Sequence, residues 1–120
     1  MNVLHIAWRE LRATFTTPEV GSVGLSEAAA RQQGIDVAVA TGDLGSRGWL
    51  AGEDGVVKLV ADRARGVLVG GSVVGSSGGE IIAMVGTAIH AEIPIATLAE
   101  MHFAYPTLYR SLQPVLRALL

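Results

Sequence analysis

Cysteine is absent from all 120 residues. The thiolate is the electron carrier of dithiol exchange and the soft ligand of structural zinc, so this chain by itself runs neither chemistry. Charge is scarce too: Asp, Glu, Lys and Arg make up 17%, the formal net charge is −2, and the sequence pI is about 5.8. No basic run offers a footprint for a phosphate backbone, which argues against nucleic-acid binding. No apolar stretch approaches the ~18 residues of a membrane helix. Met1 to Leu11 carries His5, Arg9 and Glu10, which a secretory apolar segment would not tolerate. Together these absences predict a cytoplasmic chain with neither a membrane nor a nucleic-acid partner.

What the chain has in plenty is apolar residue, 50% of the total, with a mean hydropathy of +0.44. At this length it forms one domain, burying roughly two-thirds of its unfolded surface. The apolar excess points to a surface covered by another subunit or domain.

Arg12, Thr14 and Thr16 alternate with Ala13 and Phe15 as in a half-buried strand, and Pro18 ends the run because it cannot donate to a ladder. Val20 to Leu25 resumes an extended stretch. Ser26 as N-cap, Glu27 in the first turn and Gly34 as a left-handed stop predict a helix over 26–33. Asp36 to Thr41 alternates as a strand, and Gly42 to Asp54 reads as a loop with one irregular strand around Trp49. Val56 to Ala61, a turn at Asp62 to Gly66, and Val67 to Val74 form a hairpin, with Lys58 beside Val56 and Val60 on a partly buried face. Ser77 and Glu80 form a capping-box pair that opens a helix to about Glu92, with Ile81, Ile82, Val85, Ala88 and Ile89 on one face. Strands followed by helices, without strict alternation, predict an α+β domain: an antiparallel sheet with helices packed on one side.

Candidate chemistry is thin. Gly70 to Gly79 is glycine-rich ahead of a helix, and bare amides there would suit an anion. It lacks the dinucleotide fingerprint and the Lys-Ser/Thr of a P-loop, so the competing reading is a strand bend with close helix packing. His5, His90 and His102 have no metal-site spacing and no acidic orienting partner in sequence, so no metal site is assigned. No Gly-x-Ser-x-Gly elbow is assigned, and the serines and histidines are not read as a hydrolase triad.

Four segments carry a resemblance: Phe15-Thr-Thr-Pro-Glu-Val-Gly-Ser-Val-Gly-Leu-Ser-Glu27, Gly55-Val-Val-Lys-Leu-Val-Ala-Asp62, Val67-Leu-Val-Gly-Gly-Ser-Val-Val-Gly75 and Gly79-Glu-Ile-Ile82. In order and spacing they resemble the C-terminal dimerisation domain of the flavin-dependent pyridine nucleotide–disulfide oxidoreductases. That is the family of dihydrolipoamide dehydrogenase, glutathione reductase and mercuric reductase. The resemblance spans residues 12–120 as a dimerisation domain and implies the homodimerisation module of such an enzyme. It also implies that FAD, NAD(P) and the redox cysteines belong to other domains. This chain would then hold no cofactor and would not be active alone, while a full-length parent would be a flavin-dependent, NAD(P)-linked oxidoreductase. Met1 to Leu11 faintly resembles the end of the flavin domain without the usual connection, which implies a remnant of it in an excised or shortened chain.

Family members end in His-Pro-Thr-x-x-Glu, whose histidine serves the partner subunit's redox disulfide as acid–base and whose glutamate orients it. Here the run is Ala104-Tyr-Pro-Thr-Leu-Tyr-Arg110, so Tyr105 holds the histidine position and Arg110 the glutamate position. A phenol titrating near ~10 shuttles protons poorly compared with an imidazole near ~6.5, and a guanidinium cannot accept a hydrogen bond. The resemblance thus makes Tyr105 a candidate hydrogen-bond donor to a substrate or a metal-bound thiolate. The competing reading is an interface aromatic. The implied interface residues are Phe103, Tyr105, Pro106, Thr107, Leu108 and Leu112, and a cis Tyr105–Pro106 bond is expected by analogy. Thr107 is placed to cap a last helix whose Leu108, Leu112, Val115, Leu116 and Leu119 form a stripe awaiting a partner, with a kink or restart at Pro114. The alternative function is a stand-alone protein-interaction or small-anion-binding domain without redox activity.

Overall fold

Valine-rich, alternating segments build a sheet of five strands among the described residues. The structure is a computed structural model and describes residues 12–14, 19–44 and 55–120. The strands are β1 (Arg12–Thr14), β2 (Val20–Gly24), β3 (Val37–Asp43), β4 (Val56–Asp62) and β5 (Val67–Val74). The helices are α1 (Glu27–Gln32), α2 (Gly78–His90), α3 (Ile95–Ala99) and α4 (Leu112–Ala118), with a 3-10 turn over Tyr109–Ser111. The expectations for Met1 to Leu11, Phe15, Thr16, Pro18 and Trp49 lie outside the described residues.

All neighbours pair antiparallel in the order β1-β2-β5-β4-β3, so β5 is central and the β4–β5 hairpin is the hub. β3 outruns its expected end, because Gly42 and Asp43 pair with Val57 and Val56. The ladder there overrides the weak strand preference of glycine and aspartate.

The register sorts the two faces. Gly42, Val57, Val73 and Gly21 form one row, and Ala40, Leu59, Gly71 and Val23 the next. A Cβ on Gly21 would meet Ile82, one on Gly71 would meet Val85 and one on Gly42 would meet Val115, so this face carries α2 and α4. Val57, Leu59, Val73, Ile82 and Ile89 are fully buried in that layer, each contributing about 1.5–3 kcal/mol of apolar burial. The opposite face carries the row Thr41, Lys58, Ser72, Ser22 and the row Asp43, Val56, Val74, Val20. Val56 and Val20 remain exposed there. The short α1 reaches this second face, where its Glu27 carboxylate meets Lys58 Nζ at 3.1 Å.

β5 gains one residue, Val69, between its pairings with Val60 and Ala61. Next to that bulge β2 peels away: Leu25 N–H donates to the Val69 carbonyl at 2.9 Å, and Gly24 turns at φ +71°. The Leu25 carbonyl then lies where a Cβ of residue 70 would stand, so Gly70 is the only residue type that fits.

Two helix ends differ from expectation. At α1 the Ser26 hydroxyl accepts from Ala29 N–H at 3.1 Å, as its N-cap position predicts. At α2 no capping box forms: Ser77 sits in the left-handed region (φ 57°, ψ 26°) with no side-chain cap bond. The Glu19 carboxylate, from just ahead of β2, accepts instead from Gly79 N–H at 3.1 Å. An acidic group from sixty residues upstream therefore occupies the helix N-terminus. α2 also closes at His90, two residues short of Glu92.

Candidate functional site

The segment after α3 is built from the core outward. α3 buries Ile95, Leu98 and Ala99, and Phe103, 1% exposed, drives the following chain into the same core. Its ring lies tilted against Tyr109, with centroids 5.4 Å apart. Four hydrogen bonds then fix the turn. Ala104 N–H donates to Tyr109 Oη at 3.0 Å, Thr107 Oγ1 to the Ala104 carbonyl at 2.6 Å, Arg110 Nη1 to the Phe103 carbonyl at 2.7 Å, and Ser111 Oγ to the Leu108 carbonyl at 2.6 Å.

Between these anchors Tyr105 projects outward, 67% exposed, and the Tyr105–Pro106 bond is cis, as the resemblance implies. The Arg110 guanidinium stands 5.4 Å from the Tyr105 ring centroid. A cation over an exposed aromatic face is worth about 0.5–1 kcal/mol. So the two substituted positions do meet, as a cation–π pair rather than as an acid–base pair.

Three expectations for this tail change. Phe103 and Leu112 are each 1% exposed inside the chain's own core, so neither has surface left for a partner. Thr107 does not cap the last helix, because its hydroxyl is spent on the Ala104 carbonyl. Of the expected stripe, Leu112, Val115 and Leu116 are buried in this chain, where α4 packs on β3 and β4, while Leu108 and Leu119 stay half-buried. Pro114 falls in the first turn of α4, where its missing N–H breaks no needed bond.

The surface left open is Tyr105, Pro106, Thr107 and Leu108. Beside them Ser77, just ahead of α2, and Glu80, Ile81 and Met84 of α2 line the wall of an open groove of about 680 Å³ that Pro106 to Tyr109 close on the other side. Met84 and Tyr109 had no local signal as groove residues; helical spacing alone left Met84 off the apolar face.

Half of the glycine-rich run is strand. Gly70 to Val74 lies within β5, and the Gly79 N–H at the start of α2 is taken by Glu19, so no bare phosphate loop is present. Gly75-Ser-Ser-Gly-Gly79 does satisfy Gly-x-Ser-x-Gly at a strand-to-helix turn, against the expectation that no such elbow occurs. Ser77 even has the positive φ of such elbows, yet among the described residues no histidine lines the groove it borders. Among the described residues no group of three His, Asp or Glu side chains is placed to hold a metal ion.

The comparisons with known proteins agree with this geometry. The sequence profile described as "Pyridine nucleotide-disulphide oxidoreductase, dimerisation domain" matches residues 11–115. The dihydrolipoyl dehydrogenase of Halobacterium salinarum is 37% identical over 99 residues, which are 80% of this chain and 21% of that protein. That of Mycobacterium tuberculosis is 38% identical over 106 residues, 85% of this chain and 23% of that protein. Among solved structures, LpdA from Mycobacterium tuberculosis shares the fold with a TM-score of 0.87 at 24% identity, over 100% of this chain and 26% of that one. The HOCl-induced flavoprotein disulfide reductase RclA from Escherichia coli superimposes with a TM-score of 0.84 at 26% identity, over 89% of this chain and 25% of that one. The chain thus spans only about a fifth to a quarter of the length of these relatives.

Proposed function

Because this chain belongs to the pyridine nucleotide–disulphide oxidoreductase dimerisation-domain family, we propose that it acts as the homodimerisation module of a flavin-dependent, NAD(P)-linked oxidoreductase. The observation that carries the reading is the exposed Tyr105–Pro106 turn beside the open groove of about 680 Å³ that runs along α2. A rigid turn next to an apolar-walled groove suits isologous pairing, in which the turn of each copy meets the same surface of the other.

On this reading residues 12–120 form the pairing domain, and FAD and NAD(P) bind in a flavin-linked partner domain supplied outside it. The exposed Val20 and Val56, flanking a half-buried Val74 in one row, support contact with such a domain. Tyr105 would face the partner's reaction centre as a hydrogen-bond donor, with Arg110 steadying its ring, and would not shuttle protons as an imidazole does.

Sedimentation equilibrium at micromolar concentration tests the pairing. The expected mass is twice the 12.5 kDa of the chain, with Tyr105→Ala shifting the equilibrium toward monomer. A monomer at every concentration, with the fold intact by circular dichroism, would sink the proposal.

A further inference from the structure

A second cleft, of about 430 Å³, lies on the other side of the Thr107–Ser111 turn, between Leu44 at the end of β3 and the outer face of α4. Arg110, Gln113 and Arg117 line it, at the i, i+3 and i+7 spacing that puts them on one helical face. Thr107 and Ser111 also line it, but their hydroxyl protons are already given to the Ala104 and Leu108 carbonyls, so the two arginines and Gln113 are its side-chain donors. No carboxylate lines it among the described residues, whose side chains there carry two positive charges.

The two arginines differ in freedom. Arg110 is half-buried and held, with Nη1 on the Phe103 carbonyl and the guanidinium over Tyr105. One of its five N–H donors is spent on that carbonyl, and the others stay available. Arg117 is exposed and joins no ion pair among the described residues. The planar fork of arginine fits a carboxylate or phosphate in bidentate fashion.

We propose that this cleft binds a small oxyanion, the carboxylate or phosphate group of a small molecule, with Arg110 as the fixed donor and Arg117 as the free one. It is a different place from the helix α2 terminus, where Glu19 already supplies the anion. The assignment concerns the residues of this chain alone and does not rest on pairing, so a monomer that binds anions here would keep it while ending the reading above.

The test is a titration of the ¹⁵N-labelled chain with inorganic phosphate, and separately with succinate, at ionic strength held constant with sodium chloride. The amides of Thr107, Ser111 and Gln113 report on the cleft. Saturable shifts confined to these amides are expected, with affinity falling at least about tenfold in Arg117→Gln, since a charge-assisted bond is lost. Tighter phosphate binding assigns the ligand as a phosphate compound, and tighter succinate binding as a carboxylate. Linear drifts spread over the whole surface, or saturable shifts unchanged in Arg117→Gln, would overturn the site. Arg117 is exposed, so its replacement leaves the fold in place to be read.

Discussion

The Glu19 carboxylate accepts a hydrogen bond from the Gly79 N–H at 3.1 Å across sixty residues, and so ties the start of β2 to the start of α2. It satisfies one of the orphan donors of a helix whose own Ser77 makes no cap bond. Glu19→Ala is therefore expected to cost about 1 kcal/mol of stability. Ser77→Ala should change it by less than about 0.5 kcal/mol. Urea denaturation of the two variants checks the pair, and equal losses would restore the capping box.

A side chain at residue 70 has no room, because the Leu25 carbonyl occupies the place of its Cβ. The obstacle is backbone, which cannot rotate aside as a side chain would. Gly70→Ala is expected to destabilise by about 3 kcal/mol and to shift the amides of Leu25 and Val69. A variant with unchanged thermal unfolding would show that β2 leaves the sheet elsewhere.

Phe103 and Tyr105 stand two positions apart in the tail but do different jobs. Phe103 is a core side chain and Tyr105 a surface one. Phe103→Ala should cost about 3–5 kcal/mol. Tyr105→Ala should leave stability of the monomer within about 0.5 kcal/mol and weaken only self-association. Chemical denaturation and sedimentation run on both variants separate the two effects.

Glu27 is held below the usual carboxylate range, first by its hydrogen bond to Arg31 and then by Lys58. A carboxylate with a depressed folded pKa stabilises the fold above its unfolded pKa, and that contribution is lost as pH falls through the folded pKa. Glu27→Gln should therefore be less stable than the parent near neutral pH, with the gap closing on acidification. Thermal melts across the acidic range would show it, and a gap that widens at low pH would reverse the sign.

Much of the sheet was legible from period-two runs, because alternation fixes which face of a strand is buried. Val56 to Val74 reads as a hairpin because strand residues flank a turn ending in Gly66, which sits at φ +67°. The tail was legible in type but not in role. The leucine stripe of α4 identified an apolar face without saying whether the chain's own sheet or a partner would cover it. Hydrophobic periodicity gives the direction of a face and carries no information on what lies opposite.

By itself the sequence determined the local elements: the Ser26 cap, the β4–β5 hairpin, the apolar face of α2, and the substitution of Tyr105 and Arg110 in the family's terminal motif. These follow from neighbours within a few residues, where propensity, periodicity and motif spacing act. Tertiary structure alone decided that Glu19 caps α2, that Phe103 and Leu112 are core, that Arg110 stacks on Tyr105, and that Arg110 and Arg117 line one cleft. Each of these depends on which surfaces the folded chain brings together, and a side chain's partner across the fold leaves no mark on its neighbours in sequence.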